Sequence, residues 1–191
     1  MKILVLLLAF ASVAFGALSE VAPLTAYRLT FEAETEAADA QWIVEVRDVE
    51  GNLPYDGVWA WRWQQLTPGR NVYTHLFYTP ATAKTVQLKA SRSGVKFEKV
   101  SLERVDDANL VLNGTFSVDN FSGWSEHYHC TLIQEDGQTR LRVNQNGYAL
   151  TDYIPVMGGG KYLFESKQGT PGAQVYLYDA LRRYIGVADR K

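Results

Sequence analysis

Trp59-Ala60-Trp61-Arg62-Trp63 gathers three of the chain's five tryptophans into five positions. In an extended strand alternate side chains take the same face, so the spacing predicts a row of three indoles. Flat aromatic rings give a sugar face apolar area and polarised C–H contacts, at little cost in side-chain freedom. Tyr55, Gln64 and Gln65 stand close by with groups that could hold hydroxyls. The alternative is a core role, because tryptophan is highly buried on average. Both hold together if one indole packs inside and another faces a ligand.

A second aromatic set comprises Tyr148, Tyr153, Tyr176, Tyr178 and Tyr184. On one strand Tyr176 and Tyr178 share a face, with Val175 and Leu177 on the other. The pattern fits either the concave, ligand-facing side of a sheet or ordinary aromatics covering an edge. Glu45-Val46-Arg47-Asp48-Val49-Glu50 carries the carboxylates best placed for acid and nucleophile. Retaining glycoside hydrolysis needs both on one face. Glu45 and Asp48 are three apart and face opposite ways, and in jelly-roll glucanases, which this stretch resembles, the corresponding Glu and Asp are two apart. With no Gly-x-Ser-x-Gly elbow, phosphate loop or His-Glu-x-x-His helix either, the expectation is a binding protein and not an enzyme. His127-Tyr128-His129-Cys130 puts two imidazoles on one strand face, but zinc wants three or four ligands. Only His75 is left to add, and Cys130 would face away.

Around these residues, Met1-Lys2, the apolar run Ile3 to Phe10 and the small residues at Ala14-Phe15-Gly16 form the pattern of a cleavable secretion signal over residues 1–16. A secreted or cell-surface product beginning at Ala17 is expected, with no membrane span, since the apolar run is too short to cross a bilayer. Losing Lys2 moves the formal charge from −2 to −3, which argues against a nucleic-acid partner. One cysteine excludes an internal disulfide, so the core, or a bound metal, must hold the fold, and 47% hydrophobic residues suffice for a core that does so.

Period-two runs recur along the chain: Tyr27-Leu29-Phe31, Trp42-Val44-Val46, Val86-Leu88, Val95-Phe97, Leu141-Val143 and Val175-Leu177. Alternation of this kind builds half-buried strands. Turn signals separate them, among them Thr67-Pro68-Gly69, Ser93-Gly94, Asp136-Gly137 and Asn146-Gly147. The expected fold class is all-β, an antiparallel β-sandwich of jelly-roll kind. The alanine-rich stretch Glu32 to Gln41 reads as either a short helix or a loop between strands. Tyr27 to Gly57 and Lys161 to Gly186 share an aromatic-led pattern that suggests duplicated sandwich pieces.

Asn109-Leu110, Asn113-Gly114-Thr115-Phe116 and Gly123-Trp124 resemble the opening of carbohydrate-binding modules of families 4 and 9. Tyr153-Ile154-Pro155-Val156, Gly160-Lys161-Tyr162 and Val175 to Asp179 sit where such modules carry middle strands. Leu66 to Gly69, Phe77 to Pro80, Thr85 to Leu88 and Val95 to Glu103 resemble their last strands. The order is inverted: residues 17–106 resemble later strands and residues 107–191 earlier ones. Either one permuted sandwich closes from both parts, or two incomplete modules follow each other; one sandwich is the expectation, because unfinished sheets expose long edges.

The resemblance implies a non-catalytic module that binds a polysaccharide or other glycan, requires no cofactor and leaves room for a structural calcium. Ser117 replaces the family's acidic residue, so Asp119, Asp106 and Asp107 lie near enough to substitute, with Asp119 and Asp107 as the candidate ligands. The expected glycan contacts are Trp59, Trp61, Trp63, Tyr55, Gln65, Tyr176 and Tyr178. The rival expectation is an extracellular structural or adhesive sandwich that self-associates, with the indoles as interface anchors. Asn113-Gly114-Thr115 and Asn120-Phe121-Ser122 fit the N-glycosylation sequon.

Overall fold

A computed structural model of the chain describes residues 18–53, 63–106, 110–114, 116, 118, 120–151, 154–156, 175–178 and 184–187. Among them there is no helix, and eleven strands run in chain order. They are β1 (Leu18–Glu20), β2 (Ala26–Thr35), β3 (Gln41–Arg47), β4 (Gln64–Gln65), β5 (Gly69–Tyr78), β6 (Thr85–Ala90), β7 (Lys96–Arg104), β8 (Trp124–Glu135), β9 (Gln138–Thr151), β10 (Tyr176–Tyr178) and β11 (Tyr184–Val187). The chain divides into two compact units, Met1–Pro155 and Val156–Lys191.

Seven strands of the first unit form an antiparallel β-sandwich. One sheet has the order β1-β6-β3-β4 and the other β5-β2-β7. Alternation in the sequence is the cause. In β2 the inward set Tyr27, Leu29, Phe31, Ala33 and Thr35 is buried, and β3 answers with Trp42, Val44 and Val46. Val86 and Leu88 of β6 join them. Phe31 is fully buried, with ring centroids 5.0 Å from Trp42, 5.3 Å from Tyr73 and 5.4 Å from Phe97. It therefore ties all three strands of its own sheet to the facing one. No residue after Arg104 adds a strand to either sheet among the described residues.

Glu32 to Gln41 is neither helix nor simple loop: β2 continues to Thr35 and a short turn leads into β3. Ala33 and Ala40 are buried in the sandwich core on either side of this turn, and the Thr35 hydroxyl accepts the Ala37 N–H at 3.2 Å. The β7 edge carries an irregularity. Lys99 has φ 49°, and pairing jumps from Thr30↔Ser101 to Glu32↔Glu98. A bulge with an exposed lysine discourages further strands from adding to that edge.

Described residues between 110 and 124 pack on one end of the outer face of β5 and β2. Leu112 packs with Leu76 and Ala26, joined by Tyr78, Val105 and Val118, and the Tyr78 hydroxyl donates to the Leu110 carbonyl at 2.9 Å. Gly123 sits where nothing larger fits: its φ is +80°, and a Cβ would lie 2.7 Å from the Leu112 carbonyl oxygen.

From there β8 and β9 run as a long two-stranded ribbon closed at Asp136-Gly137, whose φ values of 52° and 73° make the tight hairpin turn this dipeptide favours. Asn146-Gly147, expected as a turn between strands, lies inside β9. Pairing jumps from Cys130↔Val143 to Tyr128↔Tyr148, so residues 144–147 bulge opposite His129. Asn146 takes φ 60° and Gly147 lets the chain pass 2.8 Å, at its would-be Cβ, from the Tyr128 carbonyl oxygen. The same dipeptide chemistry serves a bulge as well as a turn. In the second unit β10 and β11 pair antiparallel, with Leu177 opposite Gly186. Most of the Lys161 to Gly186 pattern lies outside the described residues.

Candidate functional site

β4 is held on the sandwich by its short pairing with β3, Gln41↔Gln65 and Trp42↔Gln64. Leu66, next along the chain, is buried and donates its N–H to the Ala40 carbonyl at 2.8 Å. The Gln65 amide nitrogen donates to the Ala38 and Ala40 carbonyls at 2.7 and 3.0 Å. That amide thus fastens β4 to the β2–β3 turn, and its side-chain oxygen accepts no hydrogen bond among the described residues. Directly before this anchored pair stands Trp63, with 44% of its surface exposed. Trp42, one strand inward, is 3% exposed and lies edge-on to Phe31. The edge of this sheet thus presents an indole outward beside a neighbour strand that buries one. Tyr55, Trp59 and Trp61 lie outside the described residues.

In the second unit Tyr176 is 47% exposed on β10. Tyr178 belongs to the same strand and pairs with Tyr184 across a register shift. The candidate calcium ligands Asp107 and Asp119 lie outside the described residues. Among the described residues no three His, Cys, Asp or Glu side chains come together to hold a metal. Asp106 pairs with Arg104 at 2.9 Å.

The other chemistry-bearing groups are held in ion pairs, turns and ring contacts. Glu45 lies 2.6 Å from Lys89 and 2.9 Å from Arg47. Asp48 accepts the Glu50 and Asn52 N–H groups at 2.9 and 2.8 Å, closing a turn. His127 stacks on Phe121 with centroids 3.8 Å apart, and the Cys130 sulfur lies 3.1 Å from the Tyr148 carbonyl oxygen. On the outer face of β5-β2-β7, Arg70 reaches Glu34 at 2.8 Å and Glu98 at 2.9 Å, and Lys99 pairs with Glu32. The hydrogen bond from Lys99 holds the Glu32 carboxyl below the usual carboxylate range.

In the sequence His75 stands out only as a third histidine. It is buried on β5, edge-on to Trp42 at 5.3 Å and stacked on Phe77 at 5.8 Å. Its Nε2 has no hydrogen-bond partner among the described residues, and desolvation lowers its pKa to about 4. The inward period-two set Tyr73, His75, Phe77 was the available signal. Asn113 and Asn120 were read as sequon residues, yet both brace the segment that covers β5.

Compared with known proteins, the chain matches no family model and no curated protein.

Proposed function

We propose that this chain is a secreted, non-catalytic β-sandwich of jelly-roll kind that binds polysaccharide by stacking sugar rings on aromatic side chains. The observation that carries the reading is Trp63: a large indole, 44% exposed, that directly precedes the anchored pair Gln64–Gln65 at the edge of a sheet that buries Trp42. An exposed tryptophan offers apolar area at little cost in side-chain freedom, because only two torsions need to be fixed. Trp59, Trp61 and Tyr55, a few residues earlier, extend the same surface in this reading, with the Gln65 oxygen orienting hydroxyls; Tyr176 and Tyr178 offer a second stacking surface. A structural calcium on Asp107 and Asp119 belongs to the proposal as a stabiliser and not as a reactant. No described helix is long and apolar enough to cross a membrane; export through the leader at residues 1–16 completes the proposal.

Native gels cast with single soluble polysaccharides give the test. The mature protein is expected to be retarded by at least one glucan, xylan, mannan or alginate. Trp63→Ala is expected to weaken retardation roughly 30-fold, matching about 2 kcal/mol for a truncated aromatic anchor. Equal retardation of the two proteins would remove Trp63 from the site.

A second reading, self-association, draws on a different observation. The β8–β9 ribbon exposes Tyr128 at 52%, Tyr148 at 47% and Val143 at 45%. Isolated two-stranded ribbons are marginally stable in water and gain from a covering surface. On this reading light scattering finds a dimer or larger species that Tyr128→Ser with Tyr148→Ser dissociates; a monomer at all concentrations rejects it.

A further inference from the structure

Both sequons fall in the segment that covers β5, and the fold uses their side chains. Asn113 is 7% exposed and takes φ 52°, a left-handed conformation that asparagine tolerates. Its amide nitrogen donates to the Asn120 carbonyl at 2.7 Å and its side-chain oxygen accepts the Val118 N–H at 3.2 Å. Its own carbonyl accepts the Phe116 N–H at 2.9 Å. Asn120 repeats the arrangement one step outward. Its amide nitrogen donates to the Thr74 carbonyl of β5 at 2.8 Å, and its side-chain oxygen accepts the Ser122 N–H at 2.8 Å. Ser122 is 4% exposed and its hydroxyl is buried.

The geometry points to a two-asparagine clasp, Asn113 buried and Asn120 half-buried, that docks the chain around them on β5, and to mutual exclusion between this clasp and an N-linked glycan on either sequon. N-glycosylation joins a bulky, hydrated sugar to the asparagine amide nitrogen, and its recognition reads the hydroxyl two residues on. At Asn113 the nitrogen itself is buried, so a sugar there would have to displace Asn120 and open the turn. The second sequon is closed at its other end, because the Ser122 hydroxyl is under the surface. Losing the clasp leaves the half-buried Asn120 carbonyl and Val118 N–H without their bonds, and groups left unsatisfied out of full contact with water oppose redocking.

The test uses the full chain secreted from a host that N-glycosylates, beside Thr115→Val and Asn113→Gln. Thr115→Val abolishes the first sequon and keeps Asn113; Asn113→Gln abolishes both sequon and clasp. Secreted, folded wild type is expected to carry no sugar at Asn113 by peptide mass spectrometry, or to be secreted several-fold less than Thr115→Val. Thr115→Val keeps the thermal midpoint of protein made without glycosylation, whereas Asn113→Gln lowers it. Wild type fully glycosylated at Asn113, with the midpoint of Thr115→Val, would overturn the proposal. A second reading needs no secretion: in protein made without glycosylation, the side-chain amide protons of Asn113 should exchange at least 100-fold more slowly than those of exposed Asn52. Equal exchange would overturn it as well.

Discussion

Replacing Phe31 by alanine is expected to destabilise the sandwich by about 3–5 kcal/mol, the range for large aromatic-to-alanine changes in cores. Phe31 is fully buried and touches Trp42 of the facing sheet, Tyr73 and Phe97, so its removal leaves a cavity bounded by elements that cannot all close in. Total stabilities of single domains are of the same order, about 5–15 kcal/mol. The variant should therefore be unfolded, or nearly so, in mild urea. Urea titration followed by far-ultraviolet circular dichroism checks this. A midpoint shift worth less than about 1 kcal/mol would mean that the two sheets do not pack through Phe31.

The second large effect depends on pH. Burial against Trp42 and Phe77 lowers the His75 pKa to about 4 from its ordinary 6.5, and its Nε2 has no hydrogen-bond partner among the described residues. Between those values the unfolded chain binds a proton that the folded chain refuses. Stability is therefore full above about pH 6.5 and falls as pH drops towards 4, by about 3 kcal/mol in all. Glu32, held low by Lys99, loses its contribution below its unfolded value of 4.5, a separate and more acidic window. His75→Phe keeps a ring between Trp42 and Phe77 and removes the titration. Its stability should be flat from pH 7 to 5 where the wild type slopes. The slope is the readout, because any packing offset of the larger ring shifts both ends equally. Parallel slopes in the two proteins would show that His75 is not the acid-sensitive group.

The strands of the sandwich were legible because one face of each is dry. Tyr27-Leu29-Phe31 and Trp42-Val44-Val46 alternate against polar neighbours, and period two has no other cheap explanation. Where both faces are wet, the pattern marks a strand but not its surroundings: Leu141-Val143 lies on β9, yet Val143 is 45% exposed. Asp136-Gly137 and Asn146-Gly147 carry the same left-handed preference, and local chemistry does not distinguish a hairpin turn from a bulge. That difference is set by the cross-strand register.

At the candidate site, the sequence showed an unusual density of indoles but not which would be outside. Trp42 and Trp63 are both flanked by glutamine, and only the pairing of β3 between β6 and β4 separates the buried one from the exposed one. Gln65 looked like a ligand group. Its amide instead fastens a turn 25 to 27 residues away in sequence, a contact no local pattern announces. His75 was hidden for a related reason: histidine is polar by type, and only the neighbours at positions 73 and 77 hint that it points inward.

The central claim is that Trp63 stacks on glycan. The measurement that reaches it most directly is a titration of protein carrying 15N-labelled tryptophan with soluble oligosaccharides, following the indole N–H signals and assigning them with Trp63→Phe and Trp42→Phe. The account predicts that the Trp63 signal moves saturably with one glycan class while that of Trp42, 3% exposed inside the sandwich, stays in place. A Trp63 signal unmoved by every glycan at millimolar concentration would contradict it.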